Sequence, residues 1–540
     1  MLISFFLLVY AFVFSYLSGS IFLHFISRYF NFENKNISAG LVCIIGLAIL
    51  SPDIALYHFF FAIDGVLHLI LWIAIATYFL LNKSLLHEIL TKLKSHSLKN
   101  ILVFALLLLA AILSIIARPG SGDIADYHLQ AIKWAEHYKN ILGLGNFNRP
   151  LANNNWWFNL QAFFGLGFLG IQSVYVLNGL FFICSFMYFF KSENSPFIKT
   201  FRIPILIFIS LSLKTAFVGS VTPDFIITLL VFLCFDIFLQ SQKKNASIEF
   251  YFLLLLMLIT WAISIKIISV VLCLLLLPLA IKFYKSKNYS FTIVSVAVAF
   301  TFFILPWVIG NVIACGYLVY PVNAIDLFDI DWKVPAAFFE YDKLVLKSWG
   351  KIANQDVFIT AKLNLGEWLP VWFNKLDLFN KSLALTFVSF IPILFLGFLK
   401  DRKNVWPSFV ALLAFILLFL NGPHVRFLFG YMVVIISFSI AAFHERFKFN
   451  IQRKYFLAVV FAFSILLIYK NQKQNKLLSS FIKPIDYPKE ILNEKLINGE
   501  KFFIAPSNNQ CWDCFPCSYY FINNVAMRGS KINDGFRIPK

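Results

Sequence analysis

The sequence predicts an all-α fold, a polytopic bundle of transmembrane helices, on three observations. Sixty per cent of the 540 residues are hydrophobic, where a soluble domain has about 45–50%. Only 14% are charged, against about 25% in a soluble domain. Apolar runs of about 17–22 residues recur along the chain, each long enough to cross a hydrocarbon core of ~30 Å. A β-barrel would show short alternating segments instead.

Taken in order, the apolar runs predict spans near 2–25, 38–60, 62–82, 101–117, 163–190, 203–219, 223–240, 250–265, 267–282, 291–313, 384–399, 405–421, 427–443 and 455–469, about fourteen in all. The first run lacks a basic leader and a small-residue cleavage site, so a retained span is expected there and not a signal peptide. Pro52 and Asp53 interrupt the second, so 38–82 reads either as two spans or as one broken element.

Charge then orients the bundle. The short loops 27–37, 83–99, 191–202, 241–249, 282–290, 400–404 and 444–454 hold 21 Lys or Arg against 6 Asp or Glu, and the fourteen-span arrangement puts all of them on one side. The positive-inside rule makes that side the cytoplasm. The formal charge of +19 is explained in the same way. The chain has no nucleic-acid motif, no Walker or GxGxxG loop and no HExxH, so no nucleic-acid partner is expected. Both termini and the segments 118–162, 314–383 and 470–540 fall outside. The expected organisation is N-terminal spans over 1–100, a membrane domain over 101–469 with outer loops 118–162 and 314–383, and an extracytoplasmic segment over 470–540.

Polar residues in an apolar chain need a reason. Asp123 and Asp126 stand three apart after the fourth span, followed by Tyr127, His128 and a helical stretch. Carboxylates there either cap free N–H groups, act as a general base toward an acceptor hydroxyl, or hold a divalent cation, Mg or Mn, that neutralises a phosphate leaving group. Arg149 lies in the same loop. Lys266 sits at an outer turn, where it either snorkels or contacts a lipid phosphate; Lys214 reads as a snorkelling residue. Asp224 follows Ser220, Thr222 and Pro223, a helix start, so capping is its simplest role. His424 and Arg426 lie in the outer turn NGPHVRF, and arginine offers a fork suited to phosphate. GYLVYP at Gly316–Pro321 and Trp332 fit an interfacial aromatic belt or a stacking wall for a sugar. All these residues fall on one predicted face. Deep in the spans the reading finds few charges beyond Asp64 and Asp236, which speaks against a transport path.

Eight cysteines are present. Cys43, Cys184, Cys234 and Cys273 lie in apolar runs and read as core. Cys511, Cys514 and Cys517 form CxxCxxC in the tail, and Cys315 is on the same predicted side. Outside the cytoplasm disulfides are the default, with up to two bridges among these four; a metal site is the weaker alternative.

The stretch GDIADYHLQAIKWAEHY, an acidic motif followed by an amphipathic helix in an early outer loop, resembles the GT-C superfamily of integral-membrane glycosyltransferases. DIADYH, GLGNFNRPLANNNWWF, SVTPD, SIKIIS, YP…DW, PHVRF and RGS…DGFRI are similar to a bacterial family of polytopic membrane proteins within or beside GT-C. The resemblance implies a GT-C-like fold and a polyprenyl-phosphate-linked sugar donor. It makes Asp123 the superfamily's acidic residue, with Asp126 as the rival. The chain departs from the superfamily by separating the two acids with Ile124 and Ala125, and by placing three spans before the motif.

The expected function is a bacterial inner-membrane glycosyltransferase. It moves a sugar from the lipid-linked donor to a cell-envelope glycan or glycolipid on the outer face. Asp123, or else Asp126, is expected to be catalytic, deprotonating the acceptor or positioning a metal. Tyr127, His128, Arg149, Asp224, Lys266, His424 and Arg426 are expected to bind substrate. The alternatives are a transporter or flippase for an envelope lipid or polysaccharide, and an O-antigen polymerase or ligase.

Overall fold

The computed structural model describes residues 1–30, 37–94, 97–117, 122–170, 174–215, 217–244, 246–322, 325–400, 404–443, 452, 454–506, 509–521 and 524–539. Each predicted span overlaps a helix, but among the described residues fewer helices than the expected fourteen are long enough to cross a membrane. Among the described residues, eleven helices are long and apolar enough to cross a membrane, or twelve if the bent pair Gly65–Leu81 and Lys83–Lys92 makes one span. The protein is a multi-pass helical membrane protein.

Three local differences have physical causes. Segment 38–82 is two helices: Pro52 is accommodated inside Ala39–His58, and the chain breaks instead at Phe59–Asp64. Asp64 is therefore not deep in a span. Its carboxylate caps Gly65–Leu81 by accepting from the Val66 and Leu67 N–H groups, and it also accepts from the Tyr57 hydroxyl. Segment 163–190 is broken as well, into Trp156–Gly165 and the shorter helix Leu177–Phe190. Leu166, at a left-handed φ of 50°, ends the first piece, because a side chain in that conformation cannot continue a right-handed helix. Finally, the sixth span begins at Pro196, earlier than expected, which brings Arg202 out of the predicted loop and into the bundle.

The helix Pro223–Ser241 is the axis of the molecule. It is buried along its whole length and packed by Pro196–Leu211, Ile248–Ile265 and Val425–Ala442. It carries one acid near each end, Asp224 and Asp236, about 18 Å apart along a helix rising about 1.5 Å per residue. At the Asp236 end, Arg202 pairs with the carboxylate through two contacts of 2.7 and 2.6 Å, and the Tyr188 hydroxyl donates to it at 2.7 Å. Glu193 extends the network by accepting from Gln240 and Lys243. Every charge there has a partner, as buried charges require, so this end reads as structural.

Glycine sets the closest helix contact. A Cβ at Gly46 would fall inside the Ser15 carbonyl, and one at Gly19 inside the Val42 carbonyl, so Leu2–Phe30 and Ala39–His58 pack backbone to backbone in the manner of small-residue membrane interfaces. Gly46→Leu is expected to destabilise the protein by at least about 1–3 kcal/mol, the cost of overpacking. Thermal unfolding in detergent with no loss relative to the parent would contradict this packing.

The extramembrane parts meet at the Asp224 end. Backbone bonds tie the stretch 135–143 to the first spans and the turn between them (Ile63 N–H to Ala135 C=O, Asn140 N–H to His58 C=O), to the helix Leu305–Cys315 (Gly143 N–H to Ile313 C=O) and to the C-terminal segment (Phe536 N–H to Leu142 C=O). That segment folds into a mixed sheet. Asn493–Ile497 and Glu500–Ile504 are antiparallel, and Cys517–Ser518 is parallel to the second; a further antiparallel pair joins Ala526–Met527 to Phe536–Arg537. Asn498 and Gly499, both at positive φ, close the hairpin as such turns demand.

Candidate functional site

Asp123, Asp224, Lys266 and Arg426, which come from four loops distant in sequence, form one continuous charge network. Arg426 reaches Asp123 at 2.6 Å and Asp224 at 3.1 Å. Lys266 pairs with the other oxygen of Asp224. Local structure explains each position. Asp224 lies in the first turn of the axial helix behind Pro223. Arg426 lies in the first turn of Val425–Ala442, after Pro423. Lys266 is a single extended residue at φ −153° and ψ 117°, where the chain turns from one apolar helix into the next. The Phe427 ring lies under both cations, 3.7 Å from the Lys266 ammonium and 5.2 Å from the Arg426 guanidinium carbon, and adds cation–π attraction to each. The expected capping roles are not taken: the Asp224 carboxylate spends both oxygens on cations, and Asp123 makes no side-chain cap. A void of about 10 Å³ lies against Asp224, Lys266, Arg426 and Tyr431, which is roughly room for one water.

The two acids that follow the fourth predicted span have opposite environments. Ile124–His128 is one π-helical turn, a local widening found often at functional sites. Asp123 precedes it and is partly exposed. Burial opposes its ionisation, but the adjoining Arg426 guanidinium outweighs that and holds its carboxyl below the ordinary value. Asp126 is buried at 7% exposure, and its Oδ1 has no hydrogen-bond partner among the described residues. Burial and the Asp123 charge push its carboxyl up to about 7. Pairs of carboxyls driven apart in this way are how folds divide acid and base roles near neutral pH.

The other expected site residues are more scattered. His128 is buried with its ring against Tyr127 and Phe158, at 4.4 and 5.0 Å, and burial lowers its pKa to about 4, so it is neutral. Tyr127 packs on the apolar cluster around Trp134 and Phe147. His424 is exposed, its ring 5.4 Å from Phe427. Arg149 belongs to a separate group: it pairs with Asp342 at 3.6 Å and lies over the rings of Tyr341 and Tyr520. Lys214 is exposed in the short 3-10 turn that follows its helix. Among the described residues no three His, Cys, Asp or Glu side chains converge as a metal site. Of the two acids expected to hold a divalent cation, Asp123 is paired with Arg426, whereas Asp126 Oδ1 has no hydrogen-bond partner among the described residues.

Sequence reasoning missed the contribution of the tail. Cys511 and Cys517 form a disulfide, whereas Cys514 and Cys315 are free thiols. Cys315 is held inside its own helix by donating to the Asn311 carbonyl, so no bridge joins it to the tail. The closed loop Cys511–Cys517 sits on the acid-bearing turn. Trp512 N–H donates to the Ala125 carbonyl at 3.0 Å. Gln130 donates to the Cys514 carbonyl at 2.7 Å and accepts from Cys517 N–H at 3.0 Å. Lys133 pairs with the Asp513 carboxylate at 2.7 Å. The CxxCxxC spacing was the available signal, but its partner surface, more than 370 residues earlier in the chain, was invisible.

No curated protein and no solved structure matches the chain. A family model does match, over residues 1–433, a stretch that contains the whole charge network and Asp126 and stops short of the disulfide loop. The chain therefore belongs to the family described as a domain of unknown function (DUF8201).

Proposed function

We propose that the protein is a bacterial inner-membrane glycosyltransferase of GT-C type. It transfers a sugar from a polyprenyl-phosphate-linked donor to an envelope glycan or glycolipid at the extracytoplasmic face. The convergence of Asp123, Asp224, Lys266 and Arg426 beside the buried Asp126 carboxyl carries this reading. A lipid-linked donor needs cations at the membrane boundary to receive a phosphate leaving group. An acceptor hydroxyl needs a base whose pKa lies near the working pH.

Asp126 takes the base role, because its environment keeps it available: Asp123 is committed to Arg426. In the transfer, Asp126 accepts the proton of the acceptor hydroxyl. The acceptor oxygen bonds to the anomeric carbon, and the bond from that carbon to the phosphate oxygen breaks. The polyprenyl phosphate leaves with the electron pair, its charge met by Lys266 and Arg426. A transporter would need polar groups along a path, but the axial helix from Leu229 to Phe235 carries only apolar side chains and Cys234.

The decisive experiment replaces Asp126 and Asp123 separately by Asn and follows envelope glycans and lipid-linked sugar pools. Normal glycans in both variants would sink the transferase reading. The orientation has its own check: a membrane-impermeant thiol reagent is expected not to label Lys94→Cys in intact cells, and labelling would reverse the bundle.

A further inference from the structure

The helix Lys83–Lys94 turns away from the span before it at a built corner. That span, Gly65–Leu81, ends where the Asn82 side-chain amide donates to the Tyr78 carbonyl at 2.9 Å. The Asn82 carbonyl then accepts from Leu85 N–H at 3.0 Å and starts the next helix. Arg28, near the end of the first span, fixes the corner by donating to the Asn82 side-chain oxygen at 3.1 Å. The two helices meet at 96°. Gly65–Leu81 exposes Val66, Leu69 and Ile73, as a lipid-facing span does, so a helix at right angles to it lies along the membrane plane. Ile63, just before this span, bonds to Ala135 at the Asp224 end; the span therefore carries the chain to the opposite end of the bundle.

The helix Lys83–Lys94 sorts its side chains into three strips. Leu85 and Ile89, four apart, are buried in the core. Leu86 and Leu90, also four apart, are exposed. Helical periodicity puts Lys83, His87 and Lys94 together on a third side, and all three are exposed. Residues 83–99 hold four lysines and one acid, Glu88, which pairs with Lys92 at 2.7 Å. Lys83, Lys94 and Lys99 are exposed and have no acidic partner among the described residues. Exposed leucines disfavour water, and lysines are costly in hydrocarbon. Only the boundary between the two suits both strips.

We infer that Lys83–Lys94 is an interfacial helix that binds the headgroups of anionic phospholipids, with Leu86 and Leu90 set into the acyl boundary and Lys83, Lys94 and Lys99 on the lipid phosphates. Charge complementarity selects this occupant. Cations held at headgroup depth without acids of their own attract anionic lipid, whereas a zwitterionic lipid gains only the apolar contact. The inference does not rest on the transferase reading, because this helix and the charge network lie at opposite ends of the bundle.

The test titrates the full chain, purified in neutral detergent, with dioctanoyl phosphatidylglycerol and with dioctanoyl phosphatidylcholine, and reads thermal unfolding, since a lipid that binds the folded chain stabilises it. Phosphatidylglycerol is expected to act at concentrations about tenfold lower than phosphatidylcholine, and about 0.5 M NaCl should remove the difference by screening. Each of Lys83→Gln, Lys94→Gln and Lys99→Gln should shrink the preference by up to about fivefold, the factor for one cation near the surface. Leu86→Ser with Leu90→Ser should weaken both lipids alike. Lys244→Gln, Lys285→Gln and Lys287→Gln, which remove the same charge from other exposed turns on the same predicted side, should leave the preference intact. Equal action of the two lipids on the parent overturns the inference, as does a preference that survives the combined Lys83, Lys94 and Lys99 variant. An equal loss in the Lys244, Lys285 and Lys287 variant would assign the effect to net charge and overturn it too. So would lipid binding unchanged by the two serines.

Discussion

Asp126→Asn is expected to lower sugar transfer by about 10²–10⁴-fold, the usual contribution of a positioned general base. The parent's rate should rise with pH through about 7 and then level off, because the base works only when ionised and its carboxyl titrates near 7. The sign for stability is the opposite. A carboxyl whose pKa is higher in the folded protein than in the unfolded chain stabilises the fold at low pH and loses that contribution as pH rises through the folded value. Between about pH 4, the ordinary Asp value, and 7, ionising Asp126 therefore works against folding. Asparagine does not ionise, so Asp126→Asn should be as stable as the parent, or more so, above pH 7. A variant that is inactive and also unstable there would show that Asp126 is structural. A parent rate flat from pH 5 to 9 would remove it from the base role.

Arg426→Gln is expected to destabilise the protein by about 1–3 kcal/mol, the cost of unpairing a polar group, and less than the full cost of breaking a buried ion pair, because Arg426 and Asp123 are partly exposed and Asp224 keeps Lys266. The loss has two parts, since the one guanidinium serves both Asp123 and Asp224. Asp224 is the more costly orphan, being 7% exposed, and Lys266 would be its remaining partner. Arg426→Lys should do less harm, because it keeps the charge and gives up only the fork. Adding Asp224→Asn to Arg426→Gln should recover part of the stability, as coupled residues do in a double-mutant cycle. Unfolding in detergent of Asp224→Asn, Arg426→Gln, Arg426→Lys and the double variant measures these effects. Additive effects at positions 224 and 426 would mean that the two side chains do not interact.

The family's shared region and the tail divide the site between them. Residues 1–433 supply every charged group of the network. The tail supplies the disulfide loop that fixes the turn from above. On the proposed reading the first part holds the chemistry and the second braces the turn that carries Asp126.

Much of the protein was determined by sequence alone, because a bilayer imposes a single rule. An unsatisfied backbone group in hydrocarbon costs several kcal/mol, so an apolar run long enough to span has to be helix, and length and composition suffice to find it. The face carrying the site was legible for a related reason: charges avoid hydrocarbon, so Asp123, Asp224, Lys266 and Arg426 could lie only at loop ends. Tertiary structure alone decided which charges meet. Arg426 bridging Asp123 and Asp224 depends on how three helix ends pack side by side, and pattern along one chain carries no trace of that. The same holds for Asp126, whose carboxyl is made neutral-tending by burial in a π-helical turn and by the neighbouring Asp123; three residues of spacing cannot say which of two acids is buried. Arg202 read as a cytoplasmic charge until its pairing with Asp236 made burial affordable. Trp512 is the clearest case, since its backbone N–H bonds the carbonyl of Ala125, in a turn formed by residues nearly 390 positions earlier.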